Sequence, residues 1–158
     1  MNDSQTAPSR VPWPPLVYLV AMATAIVLFI VYPLPWFGSP FADFLQAFGW
    51  LVLAAVIALY VTAIRALHKA KTTVSPVHAA THLVTDGVFG VSRNPLYLGN
   101  TLLMFGVGLI VGEIWFFALG IMAGFATQKL SIEPEERHLK ARFGKKYLDY
   151  AKKVRRWV

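Results

Sequence analysis

The sequence predicts an all-α integral membrane protein with about four transmembrane helices and a C-terminal amphipathic helix on the cytoplasmic side. Of its 158 residues, 56% are hydrophobic and only 15% are charged, and the mean hydropathy is +0.53. The apolar residues collect in runs close to the length that crosses a bilayer. A soluble domain of this length carries more charge. The absence of cysteine excludes disulfides and thiolate sites.

The N-terminal part comprises a lead-in and two predicted spans. Residues 1–15 are polar and then proline-rich, which predicts a disordered lead-in rather than a cleaved signal peptide. Residues 16–32 form an uncharged apolar run that ends at Pro33 and Pro35. A second apolar run covers residues 41–64, where Asp43 is the only charged side chain. Residues 16–64 are therefore expected to form two transmembrane helices.

Two further apolar runs form a predicted helical hairpin. Residues 96–111 and 114–130 are separated only by Gly112 and Glu113. Each run is near the lower length limit of a span, so the pair could cross the bilayer or enter it and return. Asn100, about one turn into the third run, is expected to face the bundle or a cavity. Small residues on both runs predict close backbone packing in lipid: Gly99, Gly106, Gly108, Gly120 and Gly124.

The chain after the hairpin carries a helix-start pattern. Pro134 suits the first turn of a helix, and Glu135 and Glu136 place negative charge there. By themselves these acids could simply complement the helix dipole. Apolar residues then recur at spacings of three and four among lysines and arginines, at Leu139, Phe143, Tyr147, Tyr150 and Val154. This periodicity predicts an amphipathic helix on the membrane surface or over the mouth of the bundle. Residues 65–158 thus combine linker, hairpin and C-terminal helix in one membrane domain, residues 16–158.

The basic residues predict the orientation in the membrane. Lys129 and nine further lysines or arginines lie at or after the end of the fourth run. Four more lie in the central linker, at Arg65, Lys69, Lys71 and Arg93, and the two other connections contain none. The positive-inside rule places both termini and the linker on the cytoplasmic side. Attraction to anionic lipid explains the net charge of +7, so we predict no nucleic-acid partner.

The histidines of the linker region do not predict a metal site. His68, His78 and His82 could be drawn together only if Asp86 joined them, and Pro76 interrupts any common helix. Their spacing matches no metal-binding motif, so we predict no bound metal. By itself, His82 is expected to be solvated or hydrogen-bonded.

The linker and the C-terminal region together resemble a known family. Residues 82–97 have the sequence HLVTDGVFGVSRNPLY. One hairpin later come a Glu-Glu pair and the pattern Phe-Gly-x-x-Tyr-x-x-Tyr. In order and spacing these elements resemble the membrane-embedded methyltransferases, namely the isoprenylcysteine carboxyl methyltransferases and the related phospholipid N-methyltransferases. The resemblance runs from about residue 82 to the C-terminus, roughly half of the chain.

The resemblance implies a methyltransferase that binds S-adenosyl-L-methionine on the cytoplasmic side and methylates a lipid-soluble small molecule or a membrane lipid. The candidate catalytic residues are Arg93 and Glu136. The implied cofactor-binding residues are His82, Leu83, Val84, Phe89, Asn94, Pro95, Leu96, Tyr97 and Glu135. Physical chemistry is consistent with this set, since a carboxylate at a helix start gives the ammonium group of the cofactor a partner. Methyl transfer mainly requires alignment and exclusion of water, without a metal or a covalent nucleophile.

Two positions depart from the family pattern. Asn94 stands where the family has His, and an amide can donate and accept a hydrogen bond but cannot carry a proton. Ser131 stands where the prenylcysteine enzymes have a substrate-contacting Arg, so the match does not extend to a prenylcysteine carboxylate. The acceptor atom therefore stays open among amine, carboxylate, thiol and phenol.

Two other functions also stay open at the level of the sequence. One is a membrane reductase with a nicotinamide cofactor, because some sterol reductases resemble these methyltransferases in the C-terminal half. The chain lacks a glycine-rich phosphate-binding fingerprint, which counts against that function. The other is a non-enzymatic membrane protein that keeps the motifs for structural reasons.

Overall fold

The computed structural model describes residues 11–71 and 82–158, and these residues are almost entirely helical. A 3-10 turn at Gly87–Gly90 lies in the linker, and a π turn at Gln128–Ile132 follows the hairpin. The helices are α1 (Trp13–Val31), α2 (Phe41–Lys69), α3 (Pro95–Val111), α4 (Trp115–Thr127), α5 (Glu133–Phe143) and α6 (Lys145–Lys153). The predicted all-α class is confirmed. Most of the predicted lead-in, residues 1–10, and His78 lie outside the described residues.

Three helices are long and apolar enough to cross a membrane: α1, α2 and a continuous helix from Trp115 to Phe143. With 17 residues, α3 is shorter but lies at the lower end of the spanning range. The chain is an integral membrane protein. Helix α1 begins earlier than the predicted run because Pro14 suits a first turn. Helix α2 continues past residue 64 to Lys69, since basic side chains at a helix end can extend toward the interface.

The helix that follows the hairpin turn differs from the sequence-based prediction. The fourth run was expected to end at residue 130, with a new helix starting at Pro134. Instead, α4 passes through the π turn Gln128–Ile132 directly into α5, giving a continuous helix of 29 residues. A π turn holds more residues per turn and has looser hydrogen bonding, so the helix can continue past a proline that lacks an N–H.

The predicted C-terminal helix is divided in two by Gly144. This residue has φ +53° and separates α5 from α6. A positive φ is accessible to glycine at little cost and strained for other residues. The apolar spacing from Leu139 to Val154 runs across the break, which is why periodicity alone predicted a single helix.

The hairpin of α3 and α4 packs between the first two helices, with α2 along α3 and α1 along α4. Glycines allow this approach: a Cβ added to Gly106 would lie 2.7 Å from Leu53 Cδ2, and one added to Gly108 would lie 2.9 Å from Phe116 Cβ. The predicted packing role of the hairpin glycines is confirmed at these positions. The central core cluster consists of Tyr18, Ala21, Ala25, Met104, Phe116 and Ala123.

The outer faces of the bundle are apolar, while some polar side chains within the spans pair across helices. The Tyr60 hydroxyl of α2 donates a 2.5 Å hydrogen bond to Asn100 Oδ1, so Asn100 faces the bundle, as predicted. Large exposed apolar side chains cover the outward surface, among them Leu19, Val20, Ile30, Leu51, Ile57, Ile121 and Phe125. An apolar exterior is what a lipid environment requires.

The hairpin turn is closed by a buried carboxylate. Gly112 has φ +74°, and the following residue, Glu113, is only 1% exposed. Its carboxylate accepts hydrogen bonds from the main-chain N–H of Ile114 at 3.0 Å and of Leu34 at 3.3 Å. Glu113 therefore caps the start of α4 and fastens the connection between α1 and α2 to the hairpin.

Candidate active site

The linker enters α3 through a short, defined path. Gly87 has φ +62°, which favours glycine, and it opens the 3-10 turn that leads toward Ser92. Asn94 immediately precedes α3, and Pro95 is the first residue of the helix. Proline costs no helical hydrogen bond at that position, because the first N–H groups of a helix have no intrahelical partner. The Asn-Pro pair therefore fixes where α3 begins, as the sequence predicted.

Helix α6 packs its apolar face against the linker and α5. The packed cluster consists of Tyr147, Tyr150 and Val154 with Leu83, Leu139, Phe143 and Ala151. The Tyr150 hydroxyl donates a 2.6 Å hydrogen bond to the main-chain carbonyl of Phe89. Burial raises the pKa of Tyr150 well above its ordinary value, so the hydroxyl stays protonated and remains a donor. The amphipathic C-terminal segment thus turns its apolar face toward the protein.

Glu136 on α5 is held by two arginines. Arg93 Nη2 lies 2.6 Å from Glu136 Oε1, and the two side chains are only 14% and 18% exposed. Arg156 makes a two-pronged contact, with Nη2 2.7 Å from Oε2 and Nε 3.1 Å from Oε1. The hydrogen bond to Glu136 raises the pKa of Arg156, so its guanidinium remains charged. The negative charge of Glu136 is therefore fully compensated within the protein.

Glu135, the preceding residue on α5, has a different environment. The Tyr97 hydroxyl of α3 donates a 2.6 Å hydrogen bond to Glu135 Oε1. Across residues 11–71 and 82–158, no lysine or arginine forms an ion pair with Glu135. Two consecutive carboxylates on one helix thus differ in character: one is neutralised by arginines, and the other can accept a cationic group.

The C-terminal tail completes the arrangement around Arg93. The main-chain N–H of Arg93 donates to the carbonyl of Arg155 at 3.1 Å. The side chain of Arg93 donates through Nη1 to the carbonyls of Ala151 at 3.0 Å and Val154 at 3.2 Å. One step along the chain, Asn94 Nδ2 donates to the carbonyl of Arg156 at 2.9 Å. Both residues before α3 are therefore fixed by the last residues of the chain.

An open cleft of about 680 Å³ lies beside α6, between the linker and the end of α5. This volume falls in the range of sites for small molecules and cofactors. The lining residues are His82, Leu83, Thr85, Phe143, Lys146, Asp149, Tyr150, Lys153 and Val154. Two lining residues also contact the segment before α3: Tyr150 donates to the carbonyl of Phe89, and the carbonyl of Val154 accepts from Arg93.

The residues predicted from the sequence fall into adjoining groups. Arg93, Asn94, Tyr97, Glu135 and Glu136 form the polar network between α3, α5 and the tail. His82 and Leu83 line the cleft instead.

Four other predicted positions lie outside the lining of the cleft. Val84 and Leu96 are half-buried, and Pro95 is buried as the first residue of α3. Phe89 contributes its main-chain carbonyl, as the acceptor for Tyr150. The cofactor role of these four residues stays a prediction.

Arg156 is the residue of this polar network that the sequence did not predict. It was counted only among the basic residues that indicate topology. The one signal in the sequence was indirect: several lysines and arginines follow the two acids, and any of them could bind one of the carboxylates. Which arginine of the C-terminal region would supply the second charge depends on how the tail folds back.

The described residues contain no group of three or more His, Asp and Glu side chains that could hold a metal ion. His68 is exposed in the last turn of α2, and His82 is exposed at the cleft. The arrangement of the described residues offers charged and hydrogen-bonding groups for an organic ligand.

Comparison with known proteins identifies the family. A model of the phospholipid methyltransferase family matches residues 44–146, well over half of the chain. The chain belongs to the phospholipid methyltransferase family. A search of curated proteins and a search of solved structures found no match.

Membership of the phospholipid methyltransferase family makes the chain a membrane methyltransferase. The matched region runs from α2 to the start of α6 and includes Arg93, Tyr97 and both carboxylates. Arg156 and the tail lie beyond it. The family assignment supports methyl transfer over the nicotinamide-dependent reductase and over a non-enzymatic role.

Proposed function

We propose that this phospholipid methyltransferase family member uses S-adenosyl-L-methionine to methylate a small lipid-soluble or membrane-associated acceptor at the cytoplasmic face of the membrane. One observation carries the proposal: the Glu135 carboxylate has no cationic partner among the described residues and lies beside Tyr97. The adjacent Glu136 is already neutralised by two arginines. Of these two adjacent carboxylates, Glu135 is therefore the one left to bind a cationic ligand.

The described residues fit the cofactor. S-adenosyl-L-methionine supplies an electrophilic methyl group and carries an ammonium group and an adenosine. Glu135 can accept a charge-assisted hydrogen bond from the ammonium group. The cleft offers apolar surface for adenine at Leu83, Phe143 and Val154, and a polar edge at His82. Its volume of about 680 Å³ is adequate for a ligand of that size.

Arg93 and Glu136 form the frame of this site. Their ion pair joins the start of α3 to the start of α5, and therefore sets the position of Tyr97 relative to Glu135. Alignment of the acceptor with the methyl group and exclusion of water supply most of the acceleration in such a displacement. The Arg93–Glu136 ion pair contributes to both alignment and exclusion of water, because it is mostly buried and is joined to the tail by hydrogen bonds.

Proton handling limits the chemistry of the acceptor. Asn94 cannot take a proton, and its amide donates to the carbonyl of Arg156. The acceptor therefore arrives already deprotonated, or it passes its proton to the Glu135 carboxylate, either directly or with the Tyr97 hydroxyl as a relay. The buried and unpartnered Ser131 hydroxyl, in the place of the substrate-contacting Arg of the prenylcysteine enzymes, offers no positive charge for a carboxylate acceptor.

A thermal-shift measurement on detergent-purified protein tests the proposal. S-adenosylhomocysteine should raise the melting temperature, because a ligand that binds the folded state stabilises it. NADPH should leave the melting temperature at the value measured in buffer. Stabilisation by NADPH alone would favour the reductase, and no shift with either compound would favour the non-enzymatic role. Incubation with membrane lipid extracts and methyl-labelled cofactor would then reveal the acceptor.

A further inference from the structure

The chain after α6 is not helical, and it folds back onto the entrance to α3. From Val154 onward it supplies main-chain carbonyls to the segment that contains Ser92, Arg93 and Asn94. Trp157 Nε1 donates to Gln128 Oε1 at 2.9 Å, which joins the tail to the π turn as well. The tail therefore contacts both sides of the site.

Arg156 is the tail residue that contacts both halves of the polar network. Its guanidinium holds both carboxylate oxygens of Glu136 on α5. Its main-chain carbonyl accepts from Asn94 Nδ2 at 2.9 Å and from the Ser92 hydroxyl at 3.4 Å. One residue thus links the start of α5 to the residues that precede α3.

Arg93 and Arg156 share the binding of the Glu136 carboxylate. Arg93 is committed to two carbonyls at the end of α6 in addition to Glu136. With Arg156 present, Glu136 is bound at both oxygens and cannot rotate toward a ligand. Without Arg156, Oε2 of Glu136 loses its charged donor. Glu136 could then compete with Glu135 for the ammonium group of the cofactor.

We propose that Arg156 is a positioning residue for the methyl-transfer site: it holds Glu136 away from the cofactor, so that Glu135 alone receives the ammonium group. This inference rests on the proposed function. Arg156 acts in two ways: it holds the Glu136 carboxylate, and it orders the segment that precedes α3.

Calorimetric titration with S-adenosylhomocysteine tests this role in three variants. Arg156→Ala should weaken binding about tenfold, since a charge-assisted contact that fixes the site is lost. Arg156→Lys should recover part of the loss, because it restores the charge without the two-pronged geometry. Arg155→Ala is the matched control: it removes the same charge one residue earlier from an exposed side chain and should bind within about twofold of wild type.

A double variant separates positioning from general destabilisation. If Arg156 acts through Glu136, Glu136→Gln with Arg156→Ala should bind no more weakly than the worse single variant. Two results would overturn the proposal. One is a loss of affinity in the double variant equal to the product of the two single losses, and the other is wild-type affinity in folded Arg156→Ala. All titrations are run well below the measured melting temperatures, so that incomplete folding does not enter the result.

Hydrogen exchange provides a readout that needs no ligand. The main-chain N–H of Arg93 donates to the tail, so its exchange in wild type should be slow and should accelerate in Arg156→Ala but not in Arg155→Ala. Equal exchange in all three proteins would overturn the role of Arg156 in ordering this segment. If wild type fails to bind S-adenosylhomocysteine, the proposed function fails and the cofactor role of Arg156 falls with it, whereas the exchange result still decides the ordering role.

Discussion

Tyr97 of α3 donates a 2.6 Å hydrogen bond to Glu135 of α5, while the next residue, Glu136, is bound by arginines alone. The two carboxylates are adjacent in sequence but have opposite electrostatic situations. This difference makes the two acids experimentally distinguishable: we propose a binding role for Glu135 and a structural role for Glu136.

The first prediction concerns Glu135. Glu135→Gln should weaken the binding of S-adenosylhomocysteine by about 1.5–3 kcal/mol, the usual range for a hydrogen bond to a charged group. Glu133→Gln is the control, because Glu133 lies on the same helix and pairs with Lys129 instead. Titration calorimetry on the folded variants measures both. Equal affinities in the two variants would mean that Glu135 only complements the helix dipole.

The second prediction concerns Asn94, where the family has His. Asn94→His should keep the fold and bind S-adenosylhomocysteine within about tenfold of wild type, or about 1.4 kcal/mol, because an imidazole N–H can still donate to the Arg156 carbonyl. Asn94→Ala removes that donor and should bind more weakly. Melting curves and titration of both variants provide the test. Failure of Asn94→His to fold would show that the pocket here differs from that of the family.

The third prediction concerns packing of α2 on the hairpin. A Cβ on Gly49 would lie 2.9 Å from Leu109 Cβ and 3.0 Å from the Gly106 carbonyl oxygen, atoms that no side-chain rotation can move. Gly49→Ala should therefore cost about 1–3 kcal/mol of stability. Gly38→Ala adds a Cβ with nothing within 4 Å and should melt like wild type. A Gly49→Ala protein as stable as wild type would contradict the observed helix spacing.

The fourth prediction concerns topology. Because the chain lacks cysteine, single cysteines can be placed cleanly at two exposed positions, Ser39→Cys and Lys145→Cys. In intact cells an impermeant thiol reagent should label the first and not the second, as the positive-inside rule requires. Permeabilised cells should label both. Labelling of Lys145→Cys alone in intact cells would reverse the proposed orientation.

The fifth prediction concerns alkaline stability. Burial raises the pKa of Tyr147 from its ordinary value of 10.0 to about 12, so the folded state favours the protonated phenol. This contribution to stability is complete below about pH 10 and is lost as the pH rises toward 12. Tyr147→Phe should lose less melting temperature between about pH 9 and pH 11.5 than wild type does. Identical pH profiles would show that Tyr147 ionises freely in the folded protein.

The sequence predicted the parts of the fold that depend on local patterns. Apolar runs give the spans because bilayer thickness sets helix length, and Asn94-Pro95 gives the start of α3 because proline restricts the residue before it. The break at Gly144 was missed, since the apolar spacing is continuous across it. The continuous helix through Pro134 was missed because a π turn has no reliable sequence pattern.

The site was predictable only where a motif carried it. Arg93, Tyr97 and the carboxylate pair were found through the family pattern, and the structure brings them together. Their contacts with a cofactor remain a prediction. Arg156 could not be found in this way, because its contacts depend on a non-helical tail that returns to a segment more than sixty residues earlier in the chain.

The continuous helix from Trp115 to Phe143 also has a consequence for acceptor selection. A helix rises about 1.5 Å per residue, so the stretch from Trp115 to Pro134 covers roughly 30 Å, the thickness of the hydrocarbon core. In the proposed topology, a helix of this length should place Glu135 and Glu136 near the boundary between acyl chains and headgroups. We therefore expect the proposed site to select its acceptor first by the depth of the acceptor's polar atom in the bilayer, and only then by contacts with the acceptor's shape.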